Sequence, residues 1–184
     1  MSRYSRLIAD TVAEKYKLND DYIEHIFMFS PLHDIGKIGI PDNILLKPDK
    51  LNQKEKTVMD THAHVGRKMI DELLENFGLE NIGHTDMLRN IAEFHHESVN
   101  GKGYPLGIKA NEIPLEARIV AVADVFDALT SKRPYKDAWS NENAIQELKK
   151  LAGEKLDQEC VNALIQNLDE VEQIQKQFNE NIYG

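Results

Sequence analysis

His33 and Asp34 stand side by side and are followed by Ile35, Gly36 and Lys37. An imidazole nitrogen and a carboxylate oxygen together suit a divalent metal, and the second carboxylate oxygen is free to reach another. Neighbouring residues on a regular helix diverge by about 100°, so the pair can share a target only where a helix ends. Gly36 and Gly39 are read as allowing the turn that ends it. Lys37 puts a cation where a metal-bound phosphate would lie. Taken alone, the same residues also fit a capped helix terminus, with His near the carbonyl end and Gly beyond it.

Four further residues shift that balance. His62 reads as inward-facing, in register with Val58 and Val65. His95-His96 closes a segment whose inner face is Leu88, Ile91 and Ala92. Two adjacent imidazoles repel if both are protonated, and a metal reconciles them because a ligand His is neutral. Asp124 sits between Ala123 and Val125 in the most apolar segment of the chain. An ionised carboxylate there needs a metal, a cation or several donors, and Arg118 is badly placed to serve. His33, Asp34, His62, His95, His96 and Asp124 thus give four imidazoles and two carboxylates from four helices. Mixed N/O ligation suits Fe, Mn, Co, Ni or Zn, and a carboxylate bridge suits two ions about 3.5–4 Å apart. The matching chemistry is phosphoester hydrolysis. The metals would lower the pKa of water and hold phosphate oxygens, and Lys37 would stabilise developing charge.

The elements that must position these residues are helical. No convincing alternating strand appears, and the 3.6-residue period runs through most of the chain. We expect an all-α helical bundle of about seven helices with two structured Gly/Pro loops, at 36–51 and 97–113. Leu7, Ile8, Val12 and Tyr16 mark the first helix, and Asn19 or Asp20 caps the second. Asn52 and Glu55 form a capping box opening one long helix to about Phe77, with Val58, Val65, Met69 and Leu73 inward. Pro114 begins a helix that is apolar nearly all round and therefore central. Asp157 opens the last helix. The Glu/Gln-rich stretch 169–184 reads as a solvated extension or a surface for a partner helix.

The 184 residues, 41% hydrophobic, fit one domain spanning 1–184. The net charge of −9 argues against a DNA-binding surface. No apolar run is long enough to span a membrane. The single Cys160 excludes an internal disulfide and fits a reducing, cytoplasmic compartment.

The chain resembles an HD-GYP domain, the branch of the HD phosphohydrolase superfamily that degrades cyclic di-GMP. The motifs are His33-Asp34-Ile35-Gly36-Lys37, Thr61-His62, His95-His96-Glu97, Gly101-Lys102-Gly103-Tyr104-Pro105, Ile113-Pro114 with Ala117-Arg118-Ile119, the run from Ala123 to Thr130, and Arg133-Pro134-Tyr135-Lys136. Their order matches that family over about 1–168. The resemblance implies that the six residues above hold two divalent ions, with Asp34 bridging; iron comes first, then manganese, with nickel, cobalt or zinc as alternatives. It implies that Lys37 assists the phosphate and that Gly103, Tyr104 and Pro105 shape the substrate pocket. It further implies that Arg133 and Lys136 contact a cyclic dinucleotide, and it admits a diguanylate cyclase or other signalling protein as partner and a homodimer. The family carries a further His on its first helix, whereas the first His here is His25. The expectation is therefore a fragment of a longer protein with an upstream receiver or sensor domain, or a site with one ligand fewer. The rival expectations are a weak or inactive module that binds cyclic di-GMP or a cyclase, and another HD-type nucleotide phosphohydrolase.

Overall fold

The computed structural model describes residues 1–79, 83–132 and 137–181, with side chains to 177. Among these residues there is no strand, and the class is all-α as expected. Ten α-helices follow in order: α1 (Ser2–Tyr16), α2 (Asp20–Phe29), α3 (Asp42–Leu45), α4 (Gln53–Asp60), α5 (His62–Phe77), α6 (Thr85–Phe94), α7 (Leu115–Thr130), α8 (Asn141–Leu151), α9 (Gln158–Gln166) and α10 (Leu168–Asn181). Short 3-10 turns occupy Ser30–Leu32, Ile35–Gly39 and Ala110–Glu112. No helix among the described residues is long and apolar enough to cross a membrane.

α7 is the axis. Its residues are apolar nearly all round, and it packs against α1, α6, α8 and α9. Ala117, Ile119, Val120, Val122, Ala123 and Phe126 are completely buried. Each large apolar side chain so enclosed stabilises the fold by about 1.5–3 kcal/mol. Ile8, Ile26, Ile91, Leu148 and Leu164 close around it from the neighbouring helices, and the Tyr4 ring meets Phe126 edge-on at 5.2 Å. Helix starts are capped locally. Asn19 accepts from the Tyr22 amide, Asp157 from the Glu159 and Cys160 amides, and the Asn52–Glu55 capping box is reciprocal.

Three features raise the expected seven helices to ten among the described residues. A short helix, α3, starts after Pro41 inside the 36–51 loop. The stretch 169–184, expected as a solvated extension or a surface for a partner helix, is helical to Asn181 as α10, which sends Val171 into the core and packs Ile174 against it. The long helix from Gln53 to Phe77 is broken at Thr61, whose hydroxyl donates to the Val58 carbonyl. That break changes the helix phase. Val58 (37% exposed) and Leu73 (51% exposed) leave the expected inner face. The buried face of α5 is instead His62, Ala63, Gly66, Ile70 and Leu74. His62 is inward for a reason the Val58–Val65 register did not contain.

Small residues on that face let the chain cross closely. A Cβ built on Gly36 would lie 2.0 Å from the His62 carbonyl oxygen and 2.4 Å from the Gly66 nitrogen. A Cβ on Gly39 would meet Val65 Cγ1 at 2.7 Å. Neither glycine has a positive φ, so they do not serve the sharp turn expected of them. They serve the approach of the Ile35–Gly39 turn to α5, which brings Asp34 to His62. Gly36→Ala is expected to destabilise the protein by about 1–3 kcal/mol, the usual range for overpacking. Urea unfolding measures it, and the variant's metal content should fall with its stability.

Candidate metal centre

Each imidazole is oriented by its own stretch of chain. His33 Nδ1 lies 2.8 Å from the Ser30 carbonyl, His62 Nδ1 2.8 Å from Met59, and His95 Nδ1 2.9 Å from Ile91. A carbonyl only accepts, so in all three rings Nδ1 carries the proton and donates. In the neutral ring, Nε2 is then left with its lone pair. This is how a ligand His is usually held.

The Nε2 atoms converge on Asp34. His62 Nε2 is 3.3 Å and His95 Nε2 3.8 Å from Asp34 Oδ1. All three atoms are buried, and none makes a directed hydrogen bond. His96 completes this half: one ligand atom from each of Asp34, His62, His95 and His96 lies within 4.8 Å of the others. The other half lies on Asp34 Oδ2. His33 Nε2 is 3.3 Å from that oxygen and 3.6 Å from Asp124 Oδ1. Lys37 Nζ donates to the same Oδ2. The structure therefore brings His33, Asp34, Lys37, His62, His95, His96 and Asp124 into one place. Asp124 is not as enclosed as its sequence neighbours suggest, with its side chain still 28% exposed. Arg118 is indeed engaged elsewhere, with Asp157 at 2.7 Å.

The charges are set by this crowding. Burial opposes the charged form of His33, but Asp124 and Asp34 outweigh it and raise its pKa to about 9. Burial also opposes ionisation of Asp34, yet His33 above all, with Lys37, holds its carboxyl well below the usual carboxylate range. Asp124 is held low against burial, chiefly by His33. Burial, with His96 and His33, pushes His95 far down, and burial with His62 lowers His96 to about 3. His95 and His96 are thus neutral and able to ligate at neutral pH. The residues fit a metal: buried lone pairs and a carboxylate oxygen face one another without a hydrogen bond, and only a cation or a proton relieves that.

The Gly-rich loop closes one side. A Cβ on Gly103 would be 2.3 Å from the Ser98 nitrogen, so the loop lies directly on the chain after α6. The Tyr104 amide donates to the His96 carbonyl at 3.3 Å, and its ring is 4.7 Å from the His96 ring. Pro105 follows on the same loop. Sequence reasoning gave no role to Glu97. It is buried, and its Oε1 accepts from the Leu106 and Gly107 amides at 2.7 and 3.0 Å. A carboxylate directly after His95-His96 was its one available signal. Arg133 and Lys136 lie outside the described residues. A cleft of about 460 Å³ lined by Arg3, Phe27, Pro31 and His33 opens beside the His33 half.

Comparison with known proteins identifies the family. Residues 1–160 match the family model described as HD domain. Over 172 residues the chain is 45% identical to the cyclic di-GMP phosphodiesterase response regulator RpfG of Xanthomonas campestris, covering 94% of this chain and 44% of that protein. Over 158 residues it is 40% identical to a cyclic di-GMP phosphodiesterase of Thermotoga maritima, covering 86% and 41%. A 3'3'-cGAMP-specific phosphodiesterase 2 of Vibrio cholerae is 37% identical over 164 residues, covering 89% and 30%. The chain spans less than half the length of each of these relatives. Among solved structures, Bd1817, a HDG"Y"P protein from Bdellovibrio bacteriovorus, superposes with a TM-score of 0.65 at 19% identity, over 91% of this chain and 51% of that one.

Three outcomes follow from the charges and from the Glu97 contacts to the Tyr104 loop. With its folded pKa near 9, above the ordinary value of about 6.5, protonated His33 stabilises the metal-free protein fully below about pH 6.5. That contribution is lost as pH rises through 9, so urea unfolding of metal-free protein should show declining stability across this window. Metal uptake should run the other way, tightening by about tenfold per pH unit as the His33 proton ceases to compete. For those contacts, Glu97→Gln should raise KM for a substrate that touches Tyr104 while metal content, read by elemental analysis, stays unchanged.

Proposed function

We propose that this chain, which belongs to the HD domain family, is a metal-dependent phosphodiesterase that hydrolyses cyclic di-GMP to the linear dinucleotide. The observation that carries the reading is the pair of buried, unbonded imidazole Nε2 atoms of His62 and His95 aimed at the unbonded Asp34 Oδ1. His62, His95, His96 and Asp34 would hold one ion, and His33, Asp34 and Asp124 the other, with iron or manganese the expected metal. When bound, such ions supply Lewis acidity to phosphate oxygens and lower the pKa of water.

The chain's own residues set the rest. In the reaction a water oxygen adds to phosphorus, one P–O ester bond breaks, and the leaving sugar oxygen takes up a proton. Lys37, anchored on Asp34 and part-exposed, offsets phosphate charge at the rim of the centre. Tyr104, stacked on His96, forms an apolar wall against which a purine can lie. Glu97 holds that wall in place through the Leu106 and Gly107 amides. His33, Asp34, His62, His95, His96 and Asp124 would gather positive charge at this one region of a chain whose net charge is −9 if they held two divalent ions, and an anionic dinucleotide would be attracted there. The substrate class rests on the relatives named above. Cyclic GMP-AMP is the second reading, favoured by the 37% identity to the 3'3'-cGAMP-specific enzyme.

The test is turnover of cyclic di-GMP and cyclic GMP-AMP after anaerobic loading with Fe(II) or Mn(II), with metal content measured on the same samples. Asp34→Ala should lose both metal and turnover. Lys37→Ala should keep its metal and lose turnover by on the order of 10²-fold. Full metal occupancy with no turnover of either dinucleotide would overturn the enzyme reading in favour of a binding module.

A further inference from the structure

Of the seven histidines in the chain, four belong to the centre described above and His64 is a solvent-facing residue near Glu93. The remaining two, His25 and His84, meet at a different place. His25 lies on α2, four residues after Asp21 and therefore on the same helix face. His84 is brought to that face from the residue preceding α6. Its Nε2 lies 2.6 Å from Asp21 Oδ2, and His25 Nδ1 lies 3.5 Å from Asp21 Oδ1. The two rings are 4.3 Å apart.

We propose that Asp21, His25 and His84 form a second metal site, separate from the Asp34 centre, for a borderline divalent ion of the Zn(II) class. One ligand atom from each of the three residues lies within 4.8 Å of the others. Donor atoms around a tetrahedral zinc ion, with bonds of about 2.0–2.1 Å, are about 3.4 Å apart, so small side-chain rotations close the set. Two nitrogens and one carboxylate oxygen are a zinc-type donor set, with the fourth position left to water. The Asp21 side chain is 65% exposed, which leaves the site open to an ion from solvent.

An ordinary surface ion pair explains less. An exposed pair contributes little, and His25 Nδ1 already donates to the Asp21 backbone carbonyl at 2.7 Å, which leaves its Nε2 as the ligand atom. His84 takes a left-handed conformation, φ 64 and ψ 15, which histidine and asparagine both adopt more readily than most residues. A metal uses both rings in their neutral form, and it takes the place of the proton between His84 Nε2 and Asp21 Oδ2.

The experiment is Zn(II) titration by calorimetry, with zinc content after gel filtration, on the wild type, His25→Ala, His84→Asn and His64→Asn. Asparagine tolerates the left-handed conformation, so His84→Asn removes the imidazole without forcing the backbone. The wild type should bind one more equivalent of Zn(II) than His25→Ala or His84→Asn, or bind that equivalent about tenfold or more tighter. His64→Asn should match the wild type. In the wild type, Zn(II) at that equivalent should also shift the imidazole proton resonances that disappear in His25→Ala and His84→Asn. Equal stoichiometry and affinity in all four proteins would overturn the proposal, and so would an equal loss in His64→Asn. Neither outcome bears on phosphodiesterase activity, which rests on the Asp34 centre.

Discussion

A carboxylate oxygen facing imidazole lone pairs, out of contact with water, is repulsive unless positive charge lies between them. Asp34 Oδ1 is in that position towards His62 and His95, and no donor of the described residues relieves it. Its other oxygen is satisfied by Lys37, with His33 3.3 Å away. The two oxygens of one side chain therefore face differently charged surroundings. Lys37 neutralises one half, and the other half faces only imidazole nitrogens. The strongly lowered pKa of Asp34 and the raised pKa of His33 are two views of that asymmetry.

Holding such a site together requires a rigid surround. The proton on each Nδ1 is fixed by a carbonyl three or four residues earlier in the same segment, so ring orientation comes from local helix geometry. The meeting of the segments is a packing matter. α7 supplies Asp124 from a helix whose neighbouring side chains are nearly all buried, so the carboxylate cannot shift without disturbing the core. Gly36 against Gly66 lets two backbones touch, and a single methyl group there would hold His33 and Asp34 away from His62. Glu97 extends the same economy outward by fixing the Tyr104 loop through two amides.

Much of this was legible in the residues, for physical reasons that differ from one to the next. Asp124 was readable because a charge inside an apolar helix demands a partner. His95-His96 was readable because adjacent imidazoles demand neutrality. The capping box at Asn52 and Glu55 was readable because both partners lie within one turn. His62 was placed inward by a register that the structure does not contain, since Val58 is exposed and α5 begins afresh after Thr61. The true face of α5 was hidden because Ala63 and Gly66 carry little hydrophobic signal, although they are the residues that allow close approach.

The sequence by itself determined the helical class, the local caps, the inventory of ligating side chains and the neutrality that the paired histidines require. These depend on contacts within a few residues or on the cost of burying a charge. Only the tertiary structure decided which oxygen of Asp34 faces which imidazole, that Gly36 and Gly39 serve packing rather than a turn, that the 169–181 stretch docks Val171 in the core, and that His84 meets Asp21 across 63 residues of chain. Such pairings join segments whose separation along the chain bears no relation to their distance in space, and no periodicity or propensity within one segment carries that information.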